Sequence, residues 1–192
     1  EMAALSQDFS FIYARDKASF GFTERTGFLY GWGSNANSGI RDTGVDVSLP
    51  HEIDALKGLN VTAFGLGGII GDSSSSFWLA TEGNNTWVWG ANTRGQIGQI
   101  GVGRVDSPAL ATSYNRKMSA ISPGAQHTVV INNLDKRTEG SGDNTVGQIG
   151  LGALSFRSSA VLLLNFRAKS IASGDFHTLI ATEDGSVYVT GS

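Results

Sequence analysis

The chain has 192 residues, no cysteine and a formal net charge of −3. Disulfides, thiolate catalysis and cysteine-ligated zinc are therefore excluded, and an acidic chain without a long basic run disfavours general binding to phosphate backbones. With 40% apolar residues, 16% charged residues, 26 glycines and only 3 prolines, the composition predicts a folded, turn-rich chain of many short strands, and no stretch is apolar enough to span a bilayer.

In chain order, residues 1–19 carry little pattern, and Phe20 to Gly33 read as the closing strands of a partial unit, residues 1–33. Trp32-Gly33-Ser34-Asn35 then opens a motif that recurs as Trp89-Gly90-Ala91-Asn92 and Ser141-Gly142-Asp143-Asn144, with a last trace at Thr190-Gly191-Ser192. Pro50 and Pro108 follow the motif asparagines at matching distances, and Ala160 takes that place in the third copy. Ile53 to Leu59 could form a single helical turn. Phe64 to Ile70 fills the slot of a later glycine motif, with Ile70 standing where later copies have histidine. Gly71 to Ser76 reads as an inserted loop.

Phe77-Trp78-Leu79-Ala80 and Trp87-Val88-Trp89 are β-branched and aromatic runs that predict strands. Gly95-Gln96-Ile97-Gly98 returns as Gly147-Gln148-Ile149-Gly150, while the first copy has Ser38-Gly39-Ile40-Arg41. Gly124-Ala125-Gln126-His127 returns as Gly174-Asp175-Phe176-His177, each before an apolar run. Asp184-Gly185 between two such runs is a hairpin signal. The repeats therefore run 34–90, 91–142 and 143–192. A period of about 50 residues suits four strands and their turns, the content of one propeller blade.

These motifs resemble the repeat of the regulator of chromosome condensation family, which carries W-G-x-N, G-Q-L-G, a proline and G-x-x-H before a strand. The resemblance implies an all-β fold of β-propeller blades, four-stranded antiparallel sheets. It marks Gly33, Asn35, Gly90, Asn92, Gly98, His127, Gly142, Asn144, Gly150 and His177 as structural repeat positions. It also implies a propeller of seven blades, roughly 350 residues at this period. The chain is then part of a longer propeller, closes a ring with a copy of itself or another chain, or is a reduced form with its own caps.

Chemistry is sparse. His127 and His177 recur at equivalent positions, which predicts that each bonds backbone where blades meet rather than acting as an acid, base or ligand. The glycine run 95–103 lacks the lysine and strand–helix context of a phosphate loop. The aspartates 143, 175 and 184 form no pattern of paired carboxylates. No catalytic residue, cofactor or metal is expected.

The expected function is a non-catalytic scaffold that presents loops to another protein. The irregular loop from Gly71 to Asn85, with Asp72, Ser74, Trp78 and Asn84, and the segment Arg41 to Asp46 are the expected contact points. Family analogy offers a guanine nucleotide exchange factor for a small GTPase. A structural subunit of a larger assembly is the third reading.

Overall fold

The computed structural model describes residues 8–15, 17–24, 26–35, 40, 45–68, 76–81, 84–114, 116–152, 155, 157–164 and 166–192. Arg41, Asp72 and Ser74 lie outside the described residues.

Short runs of β-branched and aromatic residues, each stopped by glycine or a polar turn, form fifteen strands among the described residues. The first sheet holds β1 (Phe11–Arg15), β2 (Ala18–Thr23), β3 (Phe28–Gly33) and β4 (Val47–Glu52). The second holds β5 (Val61–Gly67), β6 (Ser76–Thr81), β7 (Thr86–Ala91) and β8 (Arg104–Leu110). The third holds β9 (Met118–Pro123), β10 (His127–Asn132), β11 (Thr138–Gly142) and β12 (Arg157–Leu164). The fourth has three strands, β13 (Ala168–Ser173), β14 (His177–Thr182) and β15 (Val187–Gly191). Every neighbouring pair is antiparallel. A 3₁₀ turn at Asp54–Leu56 falls inside the segment where the sequence allows one helical turn.

The first strands of successive sheets pack together: β1 on β5, β5 on β9, and β9 on β13. The sheets thus stand side by side about one axis, as propeller blades do. Each interface has its own core. Phe20, Phe22 and Leu29 meet Leu66 and Trp89 between the first two sheets. Val88, Ile97 and Tyr114 meet Met118 and Val130 between the second and third. Ile131 meets Ala168 and Ile180 between the third and fourth.

The sequence repeats and the sheets are out of phase. The segment 34–90 contains β4 of the first sheet and β5, β6 and β7 of the second. Likewise 91–142 contains β8 and β9 to β11, and 143–192 contains β12 and β13 to β15. Each repeat therefore closes one sheet and opens the next, so every inter-sheet interface is bridged by continuous chain.

Strand register corrects one sequence alignment. Ser76 opposes Gly90 as His127 opposes Gly142 and His177 opposes Gly191. Ser76, not Ile70, holds the histidine position in the second sheet, because the extra residues before β6 displace the count. Arrival of the chain at the signature glycine explains that residue. Gly33, Gly90, Gly142 and Gly191 have φ between +94° and +104°, a region open to glycine. A Cβ on Gly142 would lie 2.4 Å from the Gln126 carbonyl oxygen.

Candidate interaction surface

The connections fall at two ends. At one end, here the loop end, lie the links between first and second strands and between third and fourth strands. Backbone bonds Gly68 N–H to Gly124 C=O (3.0 Å) and Ala125 N–H to Asp175 C=O (3.2 Å) tie these links from sheet to sheet. At the opposite, turn end lie the second-to-third strand turns and the sheet-to-sheet connections.

Long loops at the loop end need internal closure, since their backbone groups have no ladder to join. The motif asparagine supplies it. Asn35, Asn92 and Asn144 are buried, and the Oδ1 of each accepts the N–H five residues on: Ile40 (2.9 Å), Ile97 (3.2 Å) and Ile149 (2.7 Å). Those three isoleucines are buried as well. The first copy lacks the G-Q-x-G motif yet keeps the isoleucine that the asparagine holds. Asn92 also donates through Nδ2 to the Gln99 and Val102 carbonyls. The motif glutamines curl back, with Gln96 Oε1 accepting Arg94 N–H and Gln148 Oε1 accepting Val146 N–H, both at 3.0 Å.

The loops pinned in this way expose apolar side chains. Val45, Ile100, Val102 and Val146 are 60%, 66%, 45% and 45% exposed. A depression of about 260 Å³ lies within the loop of the second repeat, lined by Asn92, Thr93, Gln99 and Val102 with three glycines. It is below the usual size of a ligand pocket. The glycine run 95–103 leads into strand β8 and takes positive φ at Gly95, Gly98 and Gly101, so it builds turns rather than a helix-borne phosphate cradle.

The two histidines part company. His127 is fully buried, and its Nε2 lies 2.9 Å from Thr178 Oγ1 in the next sheet. The Thr178 hydroxyl gives its one proton to the Gln148 carbonyl at 2.8 Å. The threonine oxygen therefore accepts, and the His127 proton sits on Nε2. Its partner in the next sheet is thus a side-chain hydroxyl, where the sequence led us to expect backbone. His177 is exposed on the last sheet, and His51 is exposed on β4.

Of the expected contact residues, Asp46, Asn84 and Trp78 are described, and they lie at different places along the sheets. Asp46, exposed at the loop end, accepts the Asn35 N–H at 3.0 Å and so anchors its own loop. Asn84 is exposed in the β6–β7 turn, at the turn end, with φ of +63°. Trp78 lies in β6 between Gly65 and Val88. Trp89 is core, whereas Trp32 is half-buried beneath Phe9, the rings stacked at 5.9 Å. Phe9 also covers Gly21, where any Cβ would strike its ring at 2.6 Å. Sequence reading missed this cap, because its signal is only an aromatic ahead of an unmatched strand.

The aspartates serve turns. Asp143 accepts from the Thr145 N–H and hydroxyl. Hydrogen bonds from the Thr182 hydroxyl and Ser186 hold the Asp184 carboxyl below the usual carboxylate range. The basic pairs near residues 116 and 136 lie at the turn end, where Arg116 meets Glu139 at 3.0 Å and Arg137 meets Asp135 at 3.8 Å. Among the described residues no group of three histidine, aspartate or glutamate side chains is placed to hold a metal ion.

Family models for the regulator of chromosome condensation (RCC1) repeat match residues 84–131 and 168–192. Those two stretches are regulator of chromosome condensation repeats, and the chain as a whole is similar to proteins built from them. A Xenopus laevis protein named Protein RCC2 homolog is 28% identical over 155 residues, spanning 79% of this chain and 29% of that protein. Human WBSCR16 has the same fold, with a TM-score of 0.77 at 18% identity, covering 99% of this chain and 49% of that one. Prp20p from Saccharomyces cerevisiae, a structure reported together with its binding properties to Gsp1p and histones, gives 0.70 at 21% identity, covering 95% and 43%. The chain thus spans under a third of the curated relative and somewhat less than half of each solved structure.

Proposed function

We propose that this chain of RCC1-like repeats is a non-catalytic scaffold whose loop end binds another protein. The observation that carries the reading is the repeated asparagine clamp, which fixes successive loops to buried isoleucines while leaving Val45, Ile100, Val102 and Val146 outside. Exposed apolar side chains on loops that are already ordered bind without a large ordering cost. Yeast Prp20p, reported with its binding properties to Gsp1p and histones, supports protein partners for this architecture. In this reading Asp46, of the expected stretch Arg41 to Asp46, belongs to the contact rim at the loop end, and Asn84, of the expected stretch Gly71 to Asn85, lies at the opposite end. The test is the doubly substituted variant Ile100→Asp with Val102→Asp, compared with the native chain in quantitative co-purification. Binding should fall while the unfolding temperature stays unchanged; retained binding would refute the loop end as the contact.

Guanine nucleotide exchange on a small GTPase is the finer alternative drawn from the family, and a nucleotide-release assay across a GTPase panel separates it from simple binding. A structural role in a larger assembly is favoured by one observation. Leu179, Val187 and Val189 on the fourth sheet are 38%, 63% and 67% exposed, while their equivalents Val129, Thr138 and Gly140 on the third sheet are buried by the next sheet.

A further inference from the structure

The chain has two Ser-Pro dipeptides, Ser107-Pro108 and Ser122-Pro123, and the fold treats them differently. Ser122 stands in β9, which packs between β5 and β13 of the adjacent sheets. It is half-buried, its Oγ accepts the Ser173 N–H at 2.7 Å, and its carbonyl accepts the Ser173 hydroxyl. Pro123 beside it is buried. The Ser122 hydroxyl is therefore engaged for as long as the third and fourth sheets are stacked.

Ser107 stands in β8, the outer strand of the second sheet. The ladder opposes Val88 to Ala109 and Gly90 to Val105. Trp89 alone therefore faces Asp106, Ser107 and Pro108, a bulge with Ser107 at its middle. Ser107 is exposed, and its hydroxyl has no hydrogen bond among the described residues. The outer strands of the first and third sheets carry the same bulge, with Leu49-Pro50 and Ser159-Ala160 in its last two places. Leu49 is 59% exposed, so the middle residue of this bulge turns to solvent there too. Of the three bulges, only that of the second sheet joins a hydroxyl to a following proline.

We propose that Ser107 is a phosphorylation site for a proline-directed protein kinase. A kinase groove that leaves the amide after the target serine without a partner selects proline there, because proline has no N–H to strand. Proline also holds the residue before it extended, the form in which a kinase groove takes its substrate. In the transfer, Ser107 Oγ attacks the γ-phosphorus of ATP. The new P–O bond forms as the bond to the bridging β–γ oxygen breaks, ADP leaves, and the hydroxyl proton passes to a base of the kinase. The product adds about −1.5 to −2 charges beside Asp106. Arg104, whose Nε lies 2.7 Å from Asp106 Oδ1, supplies a cation to offset them. The site lies on an outer strand and is independent of the loop-end contact.

The test treats the folded native chain with a mitogen-activated protein kinase and ATP, and locates phosphate by peptide mass spectrometry. A synthetic peptide of residues 102–112 is the unfolded reference. The chain should take up phosphate at Ser107, at a rate within about tenfold of the peptide. Ser107→Ala should abolish that uptake, Pro108→Ala should slow it about tenfold or more, and Ser122→Ala should leave it unchanged. A peptide that is labelled while the folded chain is not overturns the proposal, because the bulge then hides the serine. So does uptake at Ser122 with Ser107 unmodified, and so does uptake at Ser107 that Pro108→Ala leaves unchanged. A peptide that the kinase itself refuses overturns it as well, because the segment is then no substrate.

Discussion

His127 and His177 are the same residue of the same motif, but their energetics in this structure differ because among the described residues only His127 packs against a following sheet. His127→Ala leaves a cavity and strips Thr178 of a donor, at a cost of about 2–3 kcal/mol. His177→Ala, at an exposed site, should change stability by less than about 0.5 kcal/mol. Urea titration of both variants measures the difference directly. Tyr114 offers a pH signature. It is fully buried, and Gly98 leaves room for its ring, since a Cβ there would lie 2.5 Å from it. Burial is the main cause that raises its hydroxyl far above the ordinary value near 10, with Ser141 bonding to it as a smaller opposing effect. A folded-state value above the unfolded one gives stability that is complete below about pH 10 and is lost as pH rises further. Tyr114→Phe should flatten that alkaline decline in unfolding temperature; an unchanged profile would place the sensitivity elsewhere.

Within a strand, alternation decides which residues hold sheets together. Along β14 the burial alternates, with Thr178, Ile180 and Thr182 buried against the third sheet and His177 and Leu179 outward. Ile180→Ala should cost about 2–4 kcal/mol and Leu179→Ala under about 1 kcal/mol, measurable as a shift in urea midpoint. A reversal would mean that the sheet packs through its other face. This scale also shows what could be read from sequence. The strands were legible because glycine and asparagine mark where each ends, and the single turn at Asp54–Leu56 was legible because nothing around it continues a helical period. β1 was not, since Phe11–Arg15 lacks the flanking motif, although it pairs along its whole length with β2. Nor was the phase offset between repeat and sheet. Which strand joins which sheet is set by long-range register, and a periodic sequence looks the same wherever the count begins.

At the scale of the whole chain, stability is a sum over three inter-sheet cores rather than one centre. Its ends are unlike. The first sheet is covered by Phe9 lying against Tyr30 and Trp32, while the fourth shows an aliphatic face. The candidate contact residues were less legible than the fold for the same reason. Departures from the repeat locate insertions, but only the direction of each strand assigns a connection to one end, and this separates Asn84 from Asp46. The most direct measurement uses the absence of native cysteine. Ser173 N–H bonds Ser122 Oγ, and Ser173 Oγ bonds the Ser122 carbonyl, both at 2.7 Å across the third and fourth sheets. A chain bearing Ser122→Cys and Ser173→Cys should form an intramolecular disulfide on mild oxidation when folded, and do so far more slowly in urea. Two thiols that stay reduced in the folded chain would contradict the side-by-side stacking of sheets on which the rest depends.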